Sequence, residues 1–271
     1  MLGLFRSKPL LDENSAAWLF EAFAWAMRNL GRDIFLQHTR LITPSNEFFP
    51  DRIEDPARLP ELLFTRVRDY AGMAEWDCEL VAQEPDPDLH VAPTVIIRNA
   101  EQPPAGTFSL KRDEKKAIIT YNPALIRDPE NFIATIAHEL AHYLSIAIEE
   151  PPPGGEDYDE HATDLLAIFI GFGVFQLSSS FSFRQYNDQA RGLHGWSTQR
   201  LGYLTPKESA FALAIFCALK DIPAEVPQRF LRNPQLGFFK QAIRDVSAYR
   251  EAMAGVLADA PVASAAQGAG A

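Results

Sequence analysis

Residues 138–142 read His-Glu-Leu-Ala-His, a match to the pattern H-E-x-x-H. On an α-helix, residues four apart lie on one face, so His138 and His142 can both direct a ring nitrogen at one ion. Glu139 points away from the line that joins the histidines, and from there it can take a proton from water at the ion without binding the ion itself. The pattern therefore predicts a catalytic zinc site with Glu139 as general base.

The residues around this motif favour a helix that can carry it. Asp128 is suited to the N-cap position and Pro129 to the first helical turn. The proline-glycine run 151–155 must end the helix, because proline lacks a backbone N–H and clashes with the preceding turn. Between these limits, apolar residues recur at helical spacing: Ile133, Ile136, Ala137, Leu140, Ala141, Leu144 and Ile148.

A catalytic zinc takes three protein ligands, so a third ligand should follow the motif. A second helix is expected after the proline-glycine run, and its first turns carry Glu160 and Asp164 on one face. We expect Glu160 to be the third ligand and Asp164 to accept a hydrogen bond from the non-ligating nitrogen of a zinc histidine. Three nearby acids remain rival ligands: Glu156, Asp157 and Asp159.

The two motifs together resemble those of the gluzincin metallopeptidases, in which H-E-x-x-H is followed on an adjacent helix by E-x-x-x-D. The second motif here runs from Glu160 to Asp164, and 17 residues separate His142 from Glu160. The resemblance covers residues 120–177 and identifies no more specific family. It implies a zinc metallopeptidase that hydrolyses a peptide or protein substrate, with both histidines and Glu160 as ligands and Glu139 as general base.

Several short runs before the motif helix are rich in Val, Ile, Thr and Phe, as β-strands are. They are Cys78–Gln83, Thr94–Arg98, Gly106–Leu110 and Ala117–Tyr121. A small antiparallel sheet, then the H-E-x-x-H helix, then a mostly helical C-terminal half would make a zincin-like α+β fold. Ala117–Tyr121 is either the edge strand, on which an extended peptide could add as a further strand, or a core strand.

Helical patterns also flank this region, from Asp12 to Asn29, over residues 207–220 and from about Pro234 to Ala254. The proline-rich loops are too short to be domain linkers, so residues 1–255 are expected to form a single domain. The alanine-rich tail at 256–271 is expected to be disordered.

The chain carries 36 acidic and 25 basic residues, for a net charge of −11. This charge argues against a nucleic-acid or anionic-membrane partner and favours basic or neutral substrates. Hydrophobic residues make up 47% of the chain, which is enough for one sizeable core. Nothing in the composition indicates the oligomeric state.

The longest apolar run, Leu165–Leu177, falls short of the roughly 20 residues that span a bilayer, so it is expected to be a buried core helix. Met1 to Leu11 lacks the apolar stretch of a signal peptide, and a cytoplasmic protein is expected. Cys78 and Cys217 lie in apolar runs without ligand spacing, which favours buried thiols over a disulfide.

A tetrahedral oxyanion requires a hydrogen-bond donor besides the metal. Tyr186, His194 and Tyr203 lie downstream, where the gluzincins keep such a residue. His194 stands close to glycines at 192 and 195 in a loop-like stretch, and we take it as the candidate catalytic donor. The alternative is that His194 is an ordinary histidine of a surface loop.

Two other classes of function remain open at this stage. The chain could be a zinc-binding regulatory or partner-binding module with a zincin fold and little or no peptidase activity. It could also be a metal-free helical scaffold in which the motif arose by chance. The intact base Glu139 counts against the module, because a purely structural zinc site has no need of a general base.

Overall fold

The computed structural model describes residues 8–52, 54–83, 90–92, 95–96, 106–111, 116–180 and 203–259. The helices are α1 (Glu13–Leu30), α2 (Arg32–Gln37), α3 (Leu59–Tyr70), α4 (Pro129–Ser145), α5 (Asp159–Ala167), α6 (residues 173–180), α7 (Pro206–Leu219), α8 (Glu225–Gln228), α9 (Gln235–Val246) and α10 (Arg250–Asp259). The strands are β1 (Cys78–Ala82), β2 (His90–Ala92), β3 (Val95–Ile96), β4 (Gly106–Lys111) and β5 (Lys116–Tyr121). The protein is therefore α+β, as predicted.

A three-stranded sheet packs against α4 and has the strand order β1–β5–β4. β5 pairs with β4 in antiparallel and with β1 in parallel, so the prediction of an antiparallel sheet is wrong for the second pair. A parallel pair needs a long connection, and the chain between Ala82 and Lys116 is long enough to supply one. β5 is central, which confirms the core-strand alternative for Ala117–Tyr121 and places β4 at an edge among the described strands. β2 and β3 form a separate antiparallel pair.

The helix ends follow from local capping. Asp128 accepts a hydrogen bond from the backbone N–H of Asn131 at the start of α4, as the sequence predicts. Asp12 caps α1 in the same way through Ser15, and Gly31 ends α1 with a φ of +96°, which favours glycine. Both helices begin within one residue of the predicted start, and α1 also ends where predicted. Helix α4 ends at Ser145, so Ile148, which was predicted to lie on its apolar face, falls beyond its end.

The core is built around the helical stretch Glu156–Ser180, which comprises α5, a π-helical segment Ile168–Phe172 and α6. By length and composition this stretch could cross a membrane, but 94% of its most apolar window is buried inside the protein. The prediction that Leu165–Leu177 is a core helix is confirmed. Gly171 has a φ of +108°, and its carbonyl accepts a hydrogen bond of 2.9 Å from the Ile42 N–H.

The predicted C-terminal helix from Pro234 to Ala254 is two helices, α9 and α10. The chain turns between them, where the ring of Tyr249 packs 5.4 Å from that of Phe20 on α1. Helix α10 continues to Asp259, past the predicted start of the tail at 256, because Val256 is buried in the core. Residues 260–271 lie outside the described residues.

Both cysteines are buried thiols, as predicted. Cys78 begins the edge strand β1, whereas Cys217 lies inside α7. Burial in apolar surroundings disfavours the thiolate and raises the pKa of Cys217 to about 12.

Candidate metal centre

Two packed helices supply the three predicted ligands. Helix α4 carries His138 and His142 one turn apart, with their ring centroids separated by 4.7 Å and their planes nearly perpendicular. Helix α5 carries Glu160 against them. One nitrogen of each ring and one oxygen of Glu160 all lie within 4.8 Å of one another, so the group could hold a metal ion.

Glu160 Oε2 faces both rings. It lies 3.6 Å from His138 Nε2 and 3.5 Å from His142 Nε2, which is long for a hydrogen bond. Ligand atoms bound at roughly 2.0–2.1 Å around a tetrahedral ion are about 3.4 Å apart, close to these separations. This oxygen is buried, and it has no hydrogen-bond partner among the residues that the structure describes. A buried carboxylate oxygen without a donor is costly, and a bound cation would satisfy it.

Asp164 holds the ring of His138 from the side opposite Glu160. Its Oδ1 lies 2.9 Å from His138 Nδ1, and its Oδ2 accepts a 2.9 Å hydrogen bond from the Leu204 N–H. With Nδ1 donating to Asp164, Nε2 of His138 keeps its lone pair directed at Glu160 and at any ion between them. Asp164 therefore makes the hydrogen bond to a motif histidine that its position after Glu160 predicts.

Thr163 has the corresponding role for His142, which was not predicted from the sequence. Its hydroxyl donates to the Asp159 carbonyl at 2.9 Å and lies 3.3 Å from His142 Nδ1. Because the hydroxyl proton is used on Asp159, the oxygen is left to accept from Nδ1–H of His142. Thr163 lies inside the motif that runs from Glu160 to Asp164, so its position was available from the sequence.

The rival ligands do not join the cluster. The side chains of Glu156, Asp157 and Asp159 are exposed, and Glu160 is the acid that groups with the histidines among the described residues. Asp159 contributes its backbone carbonyl to Thr163 rather than its carboxylate to the site.

The cluster of His138, His142 and Glu160 holds a proton strongly. Burial lowers the pKa of His138, but Asp164 and Glu160 outweigh it and raise the pKa to about 10. Burial likewise opposes the charge on Glu160, yet the two facing imidazoles bring the pKa of Glu160 well below its usual range. The carboxylates of the site therefore stabilise a positive charge between them, and a metal cation would supply that charge as well as a proton does.

Glu139 lies beside the cluster and is almost completely buried. Only 5% of its surface is exposed, and this burial raises its pKa, although the neighbouring histidines partly oppose the rise. Strand β4 begins against it, since a Cβ placed on Gly106 would lie 3.1 Å from Glu139 Oε1. The absence of a side chain at Gly106 lets the edge strand approach the carboxylate closely.

Of the three candidate donors downstream of the motifs, Tyr203 lies within the described residues. The ring of Tyr203 lies 5.7 Å from that of His138, next to Leu204, which binds Asp164. Tyr186 and His194 lie outside the described residues. Within the described part of the chain, Tyr203 is therefore the predicted donor that the fold brings to the histidines.

The structure thus brings His138, His142 and Glu160 together from two helices, with Asp164 and Thr163 fixing the two rings. This arrangement establishes a group that could bind a metal ion. A comparison of the chain with protein-family models, with curated proteins and with solved structures found no match to any of them.

Proposed function

We propose that this protein is a gluzincin-type zinc metallopeptidase on a zincin-like fold. The observation that carries the proposal is the buried Oε2 of Glu160, which has no hydrogen-bond partner in the described part of the chain. It faces the Nε2 atoms of His138 and His142 at 3.6 and 3.5 Å. Two imidazole nitrogens and one carboxylate oxygen form a ligand set of the catalytic zinc sites, which leave a fourth position open.

A zinc ion held by these three residues would act as a Lewis acid and lower the pKa of water toward neutrality. Residues of the protein carry out the proton transfers. Glu139, next to His138, takes a proton from the attacking water and passes it to the leaving amine. Burial raises the pKa of Glu139, so this carboxylate holds an accepted proton more firmly than an exposed glutamate would.

The edge strand β4 is the proposed place for the substrate backbone. β5 occupies one side of β4, and the other side is unpaired within the described part of the chain. An extended peptide that added to this side would run past Gly106, where β4 touches Glu139. Tyr203, or the predicted donor His194, would then donate a hydrogen bond to the oxyanion.

The test combines metal analysis with peptide hydrolysis. We expect about one zinc per chain, and loss of zinc in His138→Ala and in His142→Ala. Glu139→Gln should keep the zinc and the fold but lose at least about 10²–10⁴ in rate, because the amide cannot accept the proton. Full zinc occupancy in the double histidine variant would refute the site.

Two further outcomes separate enzyme from binding module. Undiminished hydrolysis in Glu139→Gln would refute the mechanism. Zinc-loaded wild-type protein that cleaves nothing in a broad peptide library would instead favour the regulatory or partner-binding module.

A further inference from the structure

The position of Glu160 relative to the histidines depends on the connection between α4 and α5, residues 146–158, which we call the ligand loop. Three consecutive residues of this loop are prolines, at 151–153, and none of them has a backbone N–H. Carbonyl groups of the loop therefore need donors from elsewhere in the protein.

Helix α1 supplies two of these donors. Trp25 Nε1 donates to the Glu150 carbonyl at 2.9 Å, and Trp18 Nε1 donates to the Pro153 carbonyl at 2.7 Å. The tryptophans are seven residues apart, so they lie two turns apart on one face of α1. The bonds join residues that are 125 and 135 positions apart in the chain.

The carboxylate of Glu150 adds a second tie at the same end of the loop. It accepts from Arg28 at 2.7 Å and from Asn29 at 2.9 Å. These groups are partly exposed, and exposed ion pairs contribute little to stability. The indole bond of Trp25, whose ring is buried, is the firmer contact at this end.

Trp18 reaches further, to the turn that carries the metal ligand. Its ring stacks 5.5 Å from Tyr158, and it meets His161 edge-on at 5.8 Å. Tyr158 in turn lies over Gly154, where a Cβ would come within 2.5 Å of the ring. Trp18 therefore contacts the ligand loop on one side of Glu160 and the first turn of α5 on the other.

We propose that Trp18 is a positioning residue for the metal centre. Its N–H bond to Pro153 and its packing on Tyr158 and His161 hold the start of α5, and this sets Glu160 against the two imidazoles. The inference rests on the proposed function, since it takes Glu160 to be a ligand. Metal affinity depends on ligands held within about 0.5 Å of the productive geometry, so loosening this turn weakens binding.

The experiment compares zinc dissociation constants by competition with a chelator, at a temperature where each variant is folded by circular dichroism. Trp18→Phe keeps an aromatic ring but deletes the N–H donor. We expect its dissociation constant to rise by about 3- to 10-fold, the effect of one net hydrogen bond. Zinc should also leave faster into excess chelator.

A matched control separates positioning from general stability. Phe20→Leu lies on the same helix, but Phe20 packs on Phe211 and Tyr249 rather than on the ligand loop. It should lower the melting temperature and leave the zinc dissociation constant unchanged. A purely structural role for Trp18 predicts the same behaviour for Trp18→Phe.

A second variant, Tyr158→Ala, tests the same contact in case Trp18→Phe does not fold. Tyr158 is 39% exposed, so Tyr158→Ala should fold, and removing the stacked ring should also raise the zinc dissociation constant. If both Trp18→Phe and Tyr158→Ala bind zinc like the wild type, the positioning role is wrong and the metal site stands. If the wild type itself binds no zinc, the proposed function is wrong.

Discussion

Neighbouring acids at the start of α5 have different surroundings, although one peptide bond separates them. Glu160 faces both imidazoles, whereas the side chain of Asp159 is exposed and only its carbonyl supports Thr163. Glu160→Ala should therefore lose zinc on dialysis against a weak chelator. Asp159→Ala keeps the carbonyl and should retain zinc. The opposite result would show that Asp159 is the ligand.

Gly106 lies where β4 touches the proposed general base. A Cβ there would meet Thr135 Cγ2 at 2.7 Å, so either the strand or the Thr135 side chain must move. It would also lie 3.1 Å from Glu139 Oε1, which is close enough to push the carboxylate aside by a few tenths of an ångström. We expect Gly106→Ala to keep its zinc but lower the rate of peptide hydrolysis at saturating substrate by about 10-fold or more, since a displacement of this kind misplaces the base. An unaltered rate would show that β4 and Glu139 are not coupled.

His138 makes the stability of the metal-free protein depend on pH. Its pKa is about 10 in the folded protein against 6.5 as the ordinary value, so protonation stabilises the fold. This stabilisation is complete below pH 6.5 and is lost as the pH rises toward 10. Urea unfolding of the metal-free protein should show the decline, and His138→Ala should lack it. The zinc-loaded protein should lack it as well, because a ligating imidazole carries no such proton.

Gly171 sets the path of the central helix. Its φ of +108° is unfavourable for any residue with a Cβ, and a Cβ there would overlap the carbonyl oxygen of Arg40. Gly171→Ala should lower the free energy of unfolding by about 2–4 kcal/mol in urea titration. Gly237→Ala, in an open helical position on α9, is the control and should be neutral or stabilising by up to about 1 kcal/mol.

Elements with local causes were predictable from the sequence, and those with distant causes were not. The caps at Asp12 and Asp128 act within three residues, so the helix starts were found. The direction of the β1–β5 pair and the break before Tyr249 depend on contacts between remote parts of the chain. Local periodicity carries no information about either.

In the candidate metal site, too, residues placed by local spacing were predictable and residues placed by distant contacts were not. The histidine pair follows from helical spacing, and Glu160 and Asp164 follow from the second motif. Trp18 could not be found, because it meets the ligand loop across 135 residues of chain. The placement of His194 remains a prediction, since it lies outside the described residues.

If the proposed zinc binds, it should also stabilise the protein as a whole, because α4 and α5 belong to one core and the ion would join them. A ligand at about a hundredfold excess over its dissociation constant adds about 2.7 kcal/mol to the folded state. For a chain of this size, that corresponds to a rise of about 5–10 °C in melting temperature. Chelation should reverse the rise in the wild type and have no effect on the double histidine variant. A melting temperature indifferent to chelator in the wild type would contradict a bound metal.

The labelling rates of the two buried thiols can report local opening in two different regions of the protein. Cys78 lies at the start of an edge strand, and Cys217 lies in the interior of α7, so a maleimide reaches each one only when its own region opens. The labelling rate of Cys78 would measure how often the edge of the sheet opens. The labelling rate of Cys217 would measure how often the helical core opens. Unequal labelling rates would show that the two regions open independently, and no engineered cysteine is needed for the measurement.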